Sequence, residues 1–396
     1  MVLGLIVSGY SWASGNQVAD PDFNPTVTNP TYGYGQGPVV AIDEAHNNFH
    51  TKDGRFQTFA ELLSNDGYQV ISFTESFSAE SLTGIDILVI ANALHVSNVG
   101  YENWKGNIRP AFETTEITAV ETWVKGGGSL MLMADHYPFP KAAENLGFRF
   151  GFIFSNGYCF RANSPLLIGQ ADPLNNMIEF KTDDNTLANS SIVTGRDESE
   201  TVSKVVTFTG QAFWLTPEST AKKLMTLRLG TLSLYPTEAD GFTFTTPVLH
   251  NAGMLQGATL ELDQGRIAVF GEAGMFSAQL SATEPVFKQG MNNAEATENL
   301  QFTLNVLHWL SNLMNDDTDG DGVDDKADLC PDTPEGESVD AKVCADSQKD
   351  SDGDGVTDDK DKCSNTPPGE VVGSDGCIYV QIDEGDSSCF LQVIGF

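Results

Sequence analysis

An α/β fold, with a doubly wound and mostly parallel sheet, an elaborated middle and a small acidic module at its end, follows from three features of this 396-residue sequence. Short apolar, β-branched runs alternate with segments of helical apolar spacing between residues 38 and 146, and the pattern resumes at 266. Such fully apolar runs suit strands buried on both faces, as in a parallel sheet covered by helices. The stretch from 150 to 262 loses this regularity, and beyond 315 Asp, Gly and Cys recur at fixed intervals. The expected organisation is a lead-in over 1–37, an α/β domain over 38–314, an acidic module over 315–378 and a tail over 379–396.

The elements follow in order. Val2 to Val7 is a short apolar run, and Ser11-Trp12-Ala13 could precede a cleavage site; this reads as the end of a signal peptide. Residues 14 to 37, rich in Pro, Gly, Asn and Thr, read as irregular chain. Val39 to Ile42 is the first buried strand. Arg55 to Leu63 places Phe56, Phe59, Leu62 and Leu63 on one helical face. Tyr68 to Phe73 and Ile85 to Ala91 are the next strands. Glu116 to Val124 is an amphipathic helix stopped by Gly126, Gly127 and Gly128, and leads into a strand over Ser129 to Ala134. A short helix is expected over Lys141 to Leu146. In the irregular middle, Val202 to Phe208 and Thr243 to Leu249 read as strands of a mixed or antiparallel insert. Arg266 to Gly271 restores the apolar strand pattern, and Asn299 to Leu313 is a closing helix.

Charge narrows the functional classes. The formal net charge is -34 and hydrophobic residues make up 40 % of the chain. A sizeable core is therefore available, while like-charge repulsion disfavours nucleic acid and anionic membranes as partners. Neutral substrates or cations suit such a surface. No second apolar run reaches the eighteen residues expected of a membrane span. Of six cysteines, Cys330, Cys344, Cys363 and Cys377 repeat in the tail, and Cys159 and Cys389 remain. Paired spacings behind an export signal point to an oxidising compartment, and so to a secreted, periplasmic or cell-surface protein.

The tail carries its own chemistry. Asp317-Thr318-Asp319-Gly320-Asp321-Gly322-Val323 recurs as Asp350-Ser351-Asp352-Gly353-Asp354-Gly355-Val356. Each run continues to Asp at its ninth and twelfth places: Asp325 and Asp328, then Asp358 and Asp361. Carboxylates at alternate positions with Gly at the sixth are the ligand spacing of a calcium loop, which needs hard oxygen donors around a sharp turn. A cysteine two residues past the twelfth place departs from an EF-hand. With the continuations Cys330-Pro331-Asp332-Thr333-Pro334 and Cys363-Ser364-Asn365-Thr366-Pro367, residues 316 to 378 resemble thrombospondin type 3 repeats. Cys330 with Cys344 and Cys363 with Cys377 could each close a short loop, stabilising it by about 3 kcal/mol. Spacing leaves the connectivity open, including whether Cys159 meets Cys389. The likeness implies a calcium-ordered spacer that could dock the protein to a cell surface or matrix.

In an open α/β sheet, ligands bind outside the carboxyl ends of the strands. Four of the six histidines follow such ends. Asp43-Glu44-Ala45-His46-Asn47-Asn48-Phe49-His50 follows the first strand, Asn92-Ala93-Leu94-His95 the third, Asp135-His136-Tyr137-Pro138-Phe139 the fourth and Glu272-Ala273-Gly274-Met275 the fifth. Histidine and carboxylate converging from several strands is what an acid–base or metal site requires. Glu44, His46, His95, Asp135, His136 and Glu272 are thus the candidate catalytic residues. His46, His50, His95 and His136 are candidate ligands for zinc or another divalent metal. Each can also be a hydrogen-bonded core residue, and Asp43 or Asp135 a turn cap. His250 and His308 read as structural. The chain has no G-x-S-x-G elbow, no G-x-x-x-x-G-K-[ST] loop and no G-x-G-x-x-G after its first strand, which disfavours a serine α/β-hydrolase and nucleotide cofactors.

The order of elements, with Gly126-Gly127-Gly128 leading into Ser129 to Ala134, resembles the class I glutamine amidotransferase-like fold, a flavodoxin-like sheet. Ile42 to His50, Ala134 to Pro140 and Phe270 to Gln279 resemble its ThuA-like branch most. True amidotransferases carry a nucleophilic cysteine in the turn where this chain has Asp135 and His136, so glutaminase activity is not expected. The resemblance implies a pocket lined by Glu44, His46, His95, His136 and Glu272, and a carbohydrate-related substrate. The leading expectation is a secreted hydrolase or lyase acting on a neutral or sugar-like small molecule or glycan. A non-catalytic calcium-dependent binding protein and an esterase with an unrecognised serine are the alternatives.

Overall fold

Each apolar run between residues 38 and 134 becomes a strand, and each amphipathic run a helix. The computed structural model describes residues 17–161, 177–239, 241–243, 245–281, 286–314, 323, 328–330, 332–334, 336–339 and 344–378. It divides into two units, Met1–Met314 and Asn315–Phe396. The expected signal segment, most of the first calcium loop and Cys389 lie outside the described residues.

In chain order the first unit holds β1 (Gln17–Ala19), β2 (Val39–Asp43), α1 (Gln57–Asn65), β3 (Gln69–Phe73), β4 (Ile87–Ala91), α2 (Thr114–Lys125), β5 (Ser129–Met133) and α3 (Phe139–Arg149). Shorter elements follow: β6 (Phe152–Phe154), β7 (Tyr158–Arg161), β8 (Met177–Lys181), α4 (Ser191–Thr194), β9 (Lys204–Phe208), β10 (Phe213–Leu215), β11 (Lys222–Thr226), β12 (Thr231–Leu234) and β13 (Val248–His250). The regular pattern returns with β14 (Leu255–Leu262), β15 (Gly265–Phe270), β16 (Ala278–Ser281), β17 (Lys288–Gly290) and α5 (Asn299–Leu310).

Five strands form a parallel frame in the order β3-β2-β4-β5-β15. Counted along the chain this is 2-1-3-4-5, the flavodoxin-like order, with its switch point between β2 and β4. Beyond β15 the sheet turns antiparallel through β14, β10 and β6, with β11 also on β14, giving nine strands. Strand alternation assigns the faces. Ile42, Val89, Met131 and Phe270 pack with Phe59 and Leu63 of α1 and Phe302 and Val306 of α5. Ala41, Leu88, Leu132 and Val269 pack with Ile117, Val120 and Val124 of α2 and Leu146 of α3. The sheet is therefore doubly wound, and its strands need apolar residues on both sides.

Local signals set the ends. Glu113 and Glu116 form a reciprocal capping box at the start of α2. Gly126 caps its end and Gly127, with a φ of 108°, turns the chain, while a Cβ at Gly128 would enter the Trp123 ring. The closing helix ends at Leu310 rather than Leu313: Ser311 caps it, and Asn312 takes a left-handed φ of 58°. Thr243 to Leu249 yields strand only from Val248. Thr243 N donates to Thr246 Oγ1 at 2.8 Å, so hydroxyl-mediated turns capture the backbone that a ladder would have used. The lead-in is less irregular than expected, since β1 pairs with β16 and joins it to β17. Among the described residues, no helix is long and apolar enough to cross a membrane.

The second unit is built on two disulfides, Cys330–Cys344 and Cys363–Cys377. The two repeats share local contacts: Asp328 and Asp361 each accept from the amide two residues on, at 2.7 Å. A β-bridge joins Val339 to Ala345 in one and Val372 to Ile378 in the other. Cys159 stays a free thiol. It is fully buried, accepts from Asn251 Nδ2, and burial pushes its pKa up to about 12. It should resist Ellman's reagent in the native protein and react on unfolding, which peptide mapping at Cys159 reads directly.

Candidate active site

The carboxyl ends of the parallel strands meet β1, β7, β9 and β17 around one cavity of about 50 Å³. That space admits a few waters or the reacting end of a larger molecule. His50, Asp135, His136 and Glu272 line it, with Asn92, Gln279 and Thr209 beside them. Phe49, Phe139, Tyr158 and Phe160 supply aromatic walls.

Asn92 organises the polar floor. Its Oδ1 accepts the Asp135 amide at 2.9 Å, and its Nδ2 faces His50 Nδ1 at 3.2 Å. The other ring nitrogen, Nε2, faces the Gln279 amide nitrogen at 3.3 Å, so side-chain amides hold the ring from both sides. Burial, then the charges of Arg55 and His136, hold the His50 pKa well below its ordinary value, so this ring is neutral. Asn92 itself has a φ of 56°, which asparagine tolerates better than most residues. His136 stacks on Tyr158, centroids 4.4 Å apart and planes 13° off parallel. Its Nδ1 lies 3.0 Å from the Tyr137 carbonyl oxygen and donates to it, leaving Nε2 as the nitrogen available for proton transfer. That Nε2 lies 4.0 Å from Asp135 Oδ1.

Glu272 is 1 % exposed. Burial, and next the charge of Asp135, hold its carboxyl well above the usual carboxylate range. The amides of Gly274 and Met275, at 2.6 and 2.7 Å, pull the other way without prevailing. A carboxyl group whose pKa is held high thus sits beside Asp135 and an imidazole, the kind of grouping from which acid–base chemistry is built.

The remaining candidates are drawn elsewhere. His46 Nδ1 is 3.0 Å from both Asp43 oxygens and its Nε2 is 3.1 Å from Glu116 Oε1, with the ring between Phe77 and Phe112. Glu44 accepts from the Lys52 amide and the Ser72 hydroxyl. His95 caps the turn at Val96–Asn98, its Nδ1 accepting from Ser97 N at 3.0 Å. None of the three lines the cavity. The four histidines therefore do not share a metal centre: the His46 nitrogens are engaged by carboxylates, and only His50 and His136 face the cavity. Among the described residues, the one group of three ligands close enough for an ion is Asp350, Asp352 and Asp354.

His46 is a structural clamp. Burial works to lower its pKa, yet the hydrogen bonds and charges of Asp43 and Glu116 raise it above the ordinary 6.5. That contribution is fully present below the unfolded value and fades as pH rises through the folded one. His46→Asn should cost about 3 kcal/mol near pH 6. Calorimetry at about pH 6 and 9 should show the gap from wild type narrowing at the higher pH. A gap that widens contradicts the clamp.

The acidic loop fits a cation. One oxygen from each of Asp350, Asp352 and Asp354 lies within 4.8 Å of the others, about twice a calcium–oxygen distance. Gly353 and Gly355, with φ of 77° and 92°, make the turn that brings them together. Asp358 accepts from Ser351, and Asp361 accepts from the Cys363 amide, so those two brace the loop. Of the first loop's candidates, only Asp328 is described. The thrombospondin type 3 repeat family model matches residues 315–338 and 342–369. The C-terminal region carries thrombospondin type 3 repeats. These are calcium-binding modules, in keeping with the Asp350 loop.

For the chain as a whole, no curated protein matches by sequence. Among solved structures, the mmIFT52 N-terminal domain is similar over 69% of this chain and 97% of its own, at 12% identity and a TM-score of 0.46. Putative ThuA-like proteins from Bacteroides uniformis ATCC 8492 and Parabacteroides merdae ATCC 43184 are similar at 13% and 11% identity, with TM-scores of 0.39 and 0.33. They are matched over 94% and 89% of their own lengths and 70% and 69% of this chain. ThuA-like proteins are thus among its structural neighbours.

Proposed function

We propose that the α/β domain is a hydrolase or lyase using metal-independent acid–base chemistry on a neutral or carbohydrate-related substrate, in a protein exported to a calcium-containing medium. The observation that carries this reading is the convergence of Glu272, its pKa held high, with Asp135 and His136 on one aromatic-walled cavity. Glu272 would donate a proton to the leaving group. His136 Nε2 or Asp135 would take one from the attacking water or the substrate carbon. Among the described residues no lysine or arginine lines the cavity, which suits an uncharged reacting group. Two disulfides and the calcium repeats support an extracytoplasmic site.

The small enclosed volume favours a second reading, a binding domain whose enzymatic ancestor lost its activity, tethered by the calcium module to a surface or matrix. Among the described residues no serine lines the cavity, which counts against the esterase alternative. The full chain should be assayed on p-nitrophenyl glycosides and esters, with and without EDTA, and with a fluorophosphonate serine probe. Chelator-insensitive turnover without serine labelling supports the proposal. Turnover abolished by EDTA and restored by zinc defeats its metal-independent chemistry, and absence of turnover favours the binding domain.

A further inference from the structure

Thr209 combines two features that the proposed chemistry leaves unexplained. It lines the cavity, and its φ is 80°. A β-branched residue disfavours this left-handed region strongly, because its Cβ substituents crowd the backbone. Seven other non-glycine residues in the described chain have positive φ, and all are Asn or Asp, which tolerate it. Thr209 is the exception.

The surroundings enforce the conformation. The Thr209 carbonyl accepts from the Nε2 of Gln256, a fully buried side chain whose Oε1 is itself held by Thr207 Oγ1 at 2.9 Å. Gly210 follows with a φ of 70°. A Cβ at Gly210 would collide with the Gly271 carbonyl oxygen and with Glu272, so the turn is pressed against the strand end that bears the acid. The Gly210 carbonyl is held by the Cys159 amide at 2.9 Å. Within the described residues, the Thr209 hydroxyl makes no hydrogen bond. Strain over-determined by its neighbours, at a cavity wall and beside an unengaged donor, is the pattern found where a backbone is held for a ligand.

We propose that Thr209 is a ligand-contacting residue of this cavity, held in a disfavoured backbone conformation so that its hydroxyl meets an uncharged polar group, a hydroxyl or carbonyl, of the bound molecule. This rests on the reading of the cavity as a reaction site. The placement itself makes a separate claim: stability is given up locally to hold Thr209 there.

Three full-length variants separate these claims. Thr209→Gly removes the strain and the hydroxyl, Thr209→Ala keeps most of the strain without the hydroxyl, and Thr209→Ser keeps the hydroxyl. The expected result is that Thr209→Gly melts about 2 °C or more above wild type. A crystal structure of the wild-type chain should show solvent or glycerol bonded to Thr209 Oγ1. On any p-nitrophenyl substrate that wild type turns over, Thr209→Gly and Thr209→Ala should lose about ten-fold in kcat/KM while Thr209→Ser stays within about three-fold. The proposal is overturned if Thr209→Gly melts at or below wild type, if Oγ1 is bonded to protein in the crystal, or if Thr209→Ala keeps wild-type turnover. Absence of wild-type turnover on the panel defeats the hydrolytic reading alone, and melting and crystal density then decide Thr209.

Discussion

Chelating calcium with EGTA will open the segment from residue 344 to 378 to trypsin, with new cleavage after Lys349, Lys360 and Lys362, while the melting transition of the α/β domain stays where it was. Asp350, Asp352 and Asp354 bring three carboxylate oxygens within 4.8 Å of one another. Without a cation these charges repel, and only loop hydrogen bonds oppose them. Asp350 alone accepts from the amides of Gly353, Asp354 and Gly355, so ligand and turn geometry are the same residue's work. Asp350→Ala should therefore weaken calcium binding by about 100-fold or more, read by isothermal titration, and mimic EGTA in proteolysis. None of these cuts falls between Cys363 and Cys377, so the fragments will separate without a reductant. Identical digestion patterns with and without calcium would show that the disulfides alone order this segment.

His136→Ala will lower turnover by about a thousand-fold or more while leaving the melting temperature within about 2 °C of wild type. The ring sits at the cavity wall, stacked on Tyr158, and its removal forfeits about 1 kcal/mol of stacking at most. Asp135, 4.0 Å from Nε2, is a carboxyl group and replaces an imidazole base poorly. Glu272→Gln should lose comparable activity, because an amide cannot donate a proton to a leaving group. Activity that depends on protonated Glu272 will fall on the alkaline side, since its carboxyl is held well above the usual range. His46→Asn supplies the contrast: it removes stability and spares the chemistry of the folded protein. Turnover retained in His136→Ala would remove that histidine from the mechanism.

The two histidine sets show how far sequence reading reaches. His46 and His136 look alike in sequence, each just past an apolar strand and beside an aspartate. They diverge because of partners distant in the chain. Glu116 of α2 closes on His46 across 70 residues. Tyr158 of β7 stacks on His136 from 22 residues on and holds it at the cavity. His95 turns to cap its own 3-10 turn, a local event that its spacing from Ser97 did not announce. Asn92 directly follows β4, and its place at the strand end was the available signal for it. Gln279 and Thr209 carried none, because neither a glutamine nor a strained threonine has a sequence pattern.

By itself, the sequence determined the strand and helix order of the parallel frame, its double winding and the Asp350 calcium loop. Those depend on periodicities of two and 3.6 residues and on oxygen donors at fixed steps along one segment. Tertiary structure alone decided which of the residues past the strands converge, that burial and Asp135 raise the Glu272 pKa, and that Thr209 is held against its own preference. Burial, charge proximity and backbone strain arise only when distant segments are packed together, as His50 is with Asn92 across 42 residues and with Gln279 across 229.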